Sequence, residues 1–280
     1  MTCPALLRSH RGVMPGSVPT VPAPLRPWDI PRLPRARPAV QLAADMPPVR
    51  LLKFPQDFPG YSPTYPGMAR DLSYPPIPAL TPELMLRAYG AGIFPMSDSA
   101  EDPEIFWVDP QTRGIFPLDA FHVSRSLARR MRRGGYRIAV NRDFAGTVRA
   151  CADRSETWIN PDIFATYLGL HAQGYAHSVE VWMDGELAGG VFGVALGAAF
   201  FGESMFSRRT DGSKIALSHL VGRLRAGGFQ LFDTQFTTDH LKSLGAVDVP
   251  RSEYRRQLHL AVTSPADFFA VDRVGAQAAE

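Results

Sequence analysis

The chain has 280 residues, 45% of them hydrophobic and 20% charged, with a formal net charge of +3. That length holds one large domain or two modest ones with a real core, and so small a net charge does not by itself imply a polyanionic partner. The two cysteines, Cys3 and Cys151, lie too far apart for a metal-ligand spacing, and the seven histidines form neither H-x-x-x-H nor H-E-x-x-H. No stretch is long and apolar enough to span a membrane, and the N-terminus lacks the apolar core of a secretory signal. We therefore expect a cytoplasmic protein with no membrane association and no structural metal.

Eighteen of the 26 prolines fall in residues 1–80. Residues 1–50 mix Pro, Arg and Ala without periodicity and read as a disordered tail, because such a stretch buries too little apolar surface to offset its ordering entropy. Residues 51–80 gain aromatics and read as an irregular arm. Thr81-Pro82-Glu83 is a helix start, with an N-cap, a proline at the first position and an acid in the first turn. Gly90-Ala91-Gly92 stops that helix. Residues 105–118 read as short strands with turns at Asp109-Pro110 and Arg113-Gly114.

A helix is expected from Ser124 to Arg133, closed by Gly134-Gly135, then a strand over 136–140 and a helix over 143–152. Asn160-Pro161-Asp162 starts another helix. The clearest β region follows. Ser178–Met183 and Glu186–Val194 flank Asp184-Gly185, the dipeptide of a type I′ hairpin, and Ala198–Phe206 makes a third antiparallel strand. An amphipathic helix over 213–226 carries Leu217, Leu220, Val221 and Leu224 on one face. A strand at 229–235, a short helix at 238–244 and a strand at 247–249 complete the pattern. This order is that of GNAT-type acyltransferase folds, an analogy that does not fix function.

Three features have chemical potential. From His122 to Arg142 there are seven arginines and no acid. Arg125, Arg129, Arg132 and Arg133 recur at helical spacing, so they read either as a solvated face or as guanidinium forks for phosphates. Glu203 interrupts the apolar strand Phe200–Phe206. A buried carboxylate must be paired or hydrogen-bonded, or else its pKa rises. The plain alternative is a salt bridge to Arg208 or Lys214. Strand alternation puts Glu203, Phe201 and Met205 on one face. Asp233 and Gln235 are next but one on a strand, so an acid and an amide point the same way, a pair able to hold an amine or simply a strand end turning polar. Asp211-Gly212-Ser213-Lys214 reads as a helix N-cap. His177 and Ser178 face opposite ways, and there is no Gly-x-Ser-x-Gly elbow, Walker loop or dinucleotide fingerprint.

Several stretches in order carry a family resemblance: Ala88-Tyr89, Gly92-Ile93-Phe94-Pro95, His122–Ser126, Thr157-Trp158-Ile159, Ala176–Trp182, Gly202–Arg208, Asp233-Thr234-Gln235 and Ser243–Ala246. Over residues 81–260 the chain resembles the leucyl/phenylalanyl-tRNA–protein transferases of bacteria. It departs from their pattern at Met96, where tryptophan is common, and at Thr234, where cysteine is. The resemblance implies an α+β fold, a GNAT-like acyltransferase domain with a smaller N-terminal α/β domain; the disordered tail read from composition precedes them and has no counterpart in the family. The expected divisions are residues 1–50, 51–120, 121–265 and a C-terminal tail at 266–280.

The resemblance also implies transfer of leucine or phenylalanine from aminoacyl-tRNA to proteins with N-terminal Arg or Lys, marking them for degradation. The carrier tRNA would bear Leu, Phe or Met, with no cofactor, and the enzyme is expected to be a monomer. Asp233, Gln235 and Glu203 would be catalytic. Phe200, Met205, Val191 and Trp158 would line an aminoacyl pocket, and Arg125, Arg129, Arg132, Arg133 and Trp107 would bind tRNA. Two other readings stay open. One is an acyl-CoA-dependent N-acetyltransferase, opposed by the glycine-poor Ser207–Gly212 loop. The other is a non-enzymatic RNA-binding protein.

Overall fold

The computed structural model describes residues 80–277; the expectations for residues 1–50 and 51–79 lie outside them. The first helix, α1 (Pro82–Gly90), starts where its cap residues place it. Thr81 Oγ1 accepts from Leu84 N, and Pro82 fills the first turn. A hairpin of β1 (Phe94–Met96) and β2 (Phe106–Val108) follows, then β3 (Thr112–Phe116) and a single 3-10 turn at Leu118–Ala120. Ser124 caps α2 (Arg125–Arg133), which stops at Gly134, where φ is 71°. Next come β4 (Arg137–Val140), α3 (Phe144–Ala152) and α4 (Pro161–Ala172), the last capped by Asn160. The meander is β5 (Ala176–Met183), β6 (Glu186–Leu196) and β7 (Ala199–Ser207). It is followed by α5 (Gly212–Ala226), β8 (Leu231–Gln235), α6 (Asp239–Ser243), β9 (Val247–Pro250), α7 (Arg251–Thr263) and α8 (Ala270–Gln277).

Seven strands form one mixed sheet in the order β4-β5-β6-β7-β8-β3-β9. Every pairing is antiparallel except β7 with β8. Helices cover both faces. Met85, Tyr89, Val148, Ile163, Tyr167, Tyr254 and Leu258 from α1, α3, α4 and α7 pack on one side. Leu127 of α2, Phe268 and the stripe Leu217, Leu220, Val221 and Leu224 of α5 pack on the other. The result is a three-layer α/β arrangement. Among the described residues no helix is long and apolar enough to cross a membrane.

Some expectations need correction. The chain does not turn at Arg113-Gly114: β3 runs through both and lies between β8 and β9. Residues 266–277 are not a loose tail, since Phe268 is buried among Phe200 and Phe229 and α8 follows. The long helix α7 was not anticipated. Asp211 stands at the N-cap of α5 without a side-chain cap bond, and Ser207 Oγ accepts from Ser213 N instead.

Two features of β7 position the site. Its pairing with β8 covers only Ala199–Phe201 against Leu231–Asp233; β7 then continues along β6 while β8 continues along β3, so the two strands part. A bulge sits at the same place. Gly193 pairs Gly202 and Phe192 pairs Ser204, leaving Glu203 without a partner. An extra residue resets the alternation of side chains. Glu203 therefore does not share a face with Met205: Glu203 joins Phe201 and Phe206 on the α1/α4 side, and Met205 packs toward α5. A Cβ on Gly193 would lie 2.2 Å from Phe201 O, so only glycine tolerates this approach. Gly193→Ala is expected to cost about 1–3 kcal/mol, read as a lowered urea midpoint; an unchanged midpoint would show that the bulge is not fixed by this contact.

Candidate active site

The end of β8 is built around Asp233, which is fully buried. Arg113 Nε donates to its Oδ1 at 2.9 Å and Arg113 Nη2 to its Oδ2 at 2.6 Å. Tyr254 OH donates to Oδ2 at 2.8 Å and Gln235 N to Oδ1 at 2.8 Å. A carboxylate offers roughly four lone-pair positions, so this one is saturated. The guanidinium is itself held between the Phe94 and Tyr254 rings, 4.5 Å from each centroid, and donates to Gly92 O at 3.2 Å. Asp233 is therefore anchored by three elements besides its own: the segment after α1, β3 and α7.

That anchor sets Gln235. Its backbone takes φ 57°, an uncommon conformation for a side-chain-bearing residue, fixed by the bond from its own N–H to Asp233. Gly114 pairs Gln235 across β3, and a Cβ there would sit 2.7 Å from Phe236 C, so the glycine lets the chain fold back. The amide of Gln235 then faces the gap between β7 and β8 and can lie either way round, the first leaving its oxygen against the Gly202 and Thr234 carbonyls and the second matching both ends. In one, Nε2 donates to Glu203 Oε1 at 3.4 Å. In the other, the nitrogen donates to Gly202 O at 2.8 Å and Thr234 O at 3.1 Å, turning the amide oxygen to Glu203.

Glu203 takes neither of the salt bridges weighed above. Arg208 approaches Asp153 and Lys214 pairs Asp211. Its carboxyl instead accepts from Tyr89 OH at 2.8 Å on Oε1 and from Tyr167 OH at 2.7 Å on Oε2, and the two hydroxyls are 3.1 Å apart. Loss of water around the carboxyl pushes its pKa from 4.5 up to about 7, with the tyrosine hydrogen bonds working the other way. Burial likewise holds both tyrosines well above the ordinary phenol range.

Asp233, Gln235 and Glu203 are thus brought together. The pocket residues divide. Trp158 packs edge-on to Tyr167 on the Glu203 side, whereas Phe200, Val191 and Met205 lie on the α5 side of the sheet. Phe200 is fully enclosed, and Val191 nearly so; Met205 is half-buried and borders a hollow of about 210 Å³ with Ala150, Arg154 and Arg208. Arg125, Arg129, Arg132 and Arg133 are exposed and make no ion pair among the described residues. Their helix lies over the α5 side, not on the Glu203 side. Trp107 sits on the β1–β2 hairpin, paired with Pro95. Met96 is on the same hairpin and packs against the Tyr89 core.

Sequence reasoning missed Arg113, Tyr89, Tyr167 and Tyr254 as site residues. Arg113 carried a usable signal, a charge inside Thr112–Phe116 comparable to the glutamate inside β7.

The Glu203 environment has a consequence for stability. A carboxyl whose folded pKa lies above its unfolded value favours folding below about pH 4.5 and loses that contribution as pH rises toward about 7. Glu203→Gln removes the titration. The stability of the variant relative to the wild type is therefore expected to increase between pH 5 and pH 8 in urea unfolding; a difference independent of pH would contradict the buried-acid description.

Comparison with known proteins bears on this arrangement. Residues 115–259 match the model of the leucyl/phenylalanyl-tRNA protein transferases, and residues 79–111 match that of their N-terminal domain. The leucyl/phenylalanyl-tRNA–protein transferase of Jannaschia sp. (strain CCS1) is 66% identical over 204 residues, covering 73% of this chain and 96% of the relative. The protein of that name in Ruegeria pomeroyi is 67% identical over 193 residues, covering 69% and 92%. A solved ribosomal-protein-alanine N-acetyltransferase from Brucella melitensis biovar Abortus 2308 aligns with TM-score 0.30 and 18% identity, over 47% of this chain and 94% of that one. The chain belongs to the leucyl/phenylalanyl-tRNA–protein transferase family.

Proposed function

We propose that this protein moves leucine or phenylalanine from aminoacyl-tRNA onto the N-terminal Arg or Lys of acceptor proteins, in a GNAT-like sheet whose parting strands β7 and β8 form the reaction site. The observation that carries this reading is the meeting of Glu203, Gln235 and the anchored Asp233 at that gap. An aminoacyl ester is already activated, so the transfer needs neither ATP nor a coenzyme. The acceptor α-amine has a pKa of about 7.7–8.0, and a useful fraction is neutral at working pH. Gln235 orients that amine. Asp233 holds Gln235 in place, and the carboxyl of Glu203 also attracts a cationic acceptor.

The aminoacyl side chain lies against Met205, whose flexible thioether suits both an aliphatic and an aromatic guest, with Phe200 and Val191 as the wall behind it. Trp158 lies on the other side of the sheet, beside the reacting group. The exposed arginines of α2 hold the acceptor arm of the tRNA over the α5 side, and its 3′ end reaches the gap. Trp107, on the β1–β2 hairpin, contributes to tRNA binding from a separate element.

The acyl-CoA reading is weakened at the start of α5. There Arg208 N and Arg209 N donate to Ala188 O, and Ser213 N donates to Ser207 Oγ, so amides that would hold a pyrophosphate are already used.

Labelled leucine from tRNA is expected to appear on a peptide beginning with Arg and not on one with a blocked N-terminus. Gln235→Ala should lower turnover far more than tRNA affinity. Arg129→Ala and Arg132→Ala should each reduce the salt slope of tRNA binding by roughly 0.7–0.9. Binding of tRNA without transfer would favour the RNA-binding reading, and saturable binding of coenzyme A the acetyltransferase one.

A further inference from the structure

We propose that Glu203 takes the proton from the attacking amine and passes it to the departing ribose oxygen, and that Tyr89 and Tyr167 are the positioning residues that let its carboxyl exist in both protonation states. This deepens the transferase reading and rests on it.

The neighbouring acid is unsuited to the task, because every lone pair of Asp233 is engaged by Arg113, Tyr254 or the Gln235 amide N–H. Glu203 differs in that all its partners can turn. When it is ionised, both tyrosines donate to it and Gln235 Nε2 donates as well, which leaves the 3.1 Å contact between the two hydroxyls as lone pair against lone pair. When it is protonated, one hydroxyl turns to donate to the other, satisfying that contact. Gln235 then reverses to donate to Gly202 O and Thr234 O, and its amide oxygen accepts from the acid. The protonated state therefore has a complete set of hydrogen bonds, whereas the ionised state keeps three donors on the carboxylate but leaves the hydroxyl contact and the Gln235 oxygen facing other acceptors; the two interconvert with no movement of heavy atoms beyond an amide reversal. Such a site holds the proton well and still offers donors to the carboxylate left when the proton departs.

The charged and titratable groups facing Glu203 are Tyr89 from α1, Tyr167 from α4, Asp233 from β8 and Arg113 from β3. Together with burial they leave its proton affinity near that of an α-amine, the match that general acid–base catalysis requires. The amine nitrogen forms a bond to the ester carbonyl carbon and the ester C–O bond breaks. The proton lost by nitrogen goes to Glu203 and from it to the ribose oxygen, so the carboxylate is regenerated and no other reactant is consumed.

The test is the pH profile of kcat/KM for leucine transfer to an Arg-initiated peptide, measured for wild type, Glu203→Gln, Tyr89→Phe and Tyr167→Phe, with tRNA affinity and thermal melts confirming that each variant is folded. Glu203→Gln is expected to lose about a hundredfold or more and to leave only the acid limb of the amine itself. Each phenylalanine variant keeps its ring, removes one donor to the charged form and moves the enzyme's acid limb to higher pH. Infrared spectroscopy adds a readout independent of activity: a protonated-carboxyl band, lost as pH rises through about 7 and missing in Glu203→Gln. Unmoved limbs in an active enzyme, or no such band, overturn the assignment of Glu203 alone. A wild-type protein with the band but no transfer overturns the transferase reading, and this inference with it.

Discussion

A guanidinium and a carboxylate, both shut away from water, hold the candidate site together. Arg113 and Asp233 are exposed by 1% and 0% at their side chains. An ion pair in such a place is poor evidence of net stability, because desolvation consumes most of the attraction; removal of either partner nevertheless costs about 3–5 kcal/mol, since the survivor is left charged and unpaired. The pair earns its position through geometry. It ties β3, β8, α7 and the segment after α1 to one point. The Phe94 and Tyr254 rings sandwich the guanidinium, which fixes the height of β8 relative to the hairpin. With Asp233 immobilised, the uncommon backbone angle at Gln235 becomes affordable, and its amide is delivered to the gap beside Glu203.

This division of labour separates two acids that the sequence presents as equals. Asp233 is a fastener with no free lone pair. Glu203 sits on a bulge, half-buried and surrounded by partners that rotate. Polar groups that differ in this way perform different work even when they are a few ångströms apart. The sheet also separates two sets of residues in space. Arginines exposed on α2 and the apolar wall of Phe200 and Val191 share the α5 side, while the carboxyl and the tyrosines share the other. The two strands β7 and β8 part beyond Phe201 and Asp233, beside the Gln235 amide.

How much of this was legible depends on the range of the interaction involved. Thr81-Pro82-Glu83, Asn160-Pro161 and Asp184-Gly185 are local signals with local causes, and each element they announce begins where they put it. The meander and the helix carrying Leu217, Leu220 and Leu224 follow from periodicity alone. The helix α7 escaped because its buried stripe is only Tyr254, Leu258 and Ala261 amid charged residues. Asp233, Gln235 and Glu203 were identifiable as polar residues in apolar strands. Their partners were not: Arg113 lies 120 residues from Asp233 in sequence, and Tyr89 lies 114 from Glu203. The bulge was equally hidden, and strict alternation consequently assigned Met205 to the wrong face.

The most direct measurement is a crystal structure with an aminoacyl-adenosine in which an amide replaces the labile ester. Its carbonyl is expected at the gap between β7 and β8, within hydrogen-bonding reach of Gln235 or Glu203, with Asp233 still held by Arg113 and Tyr254. An aminoacyl group bound elsewhere, or one that displaces Arg113 to contact Asp233 itself, would contradict that expectation.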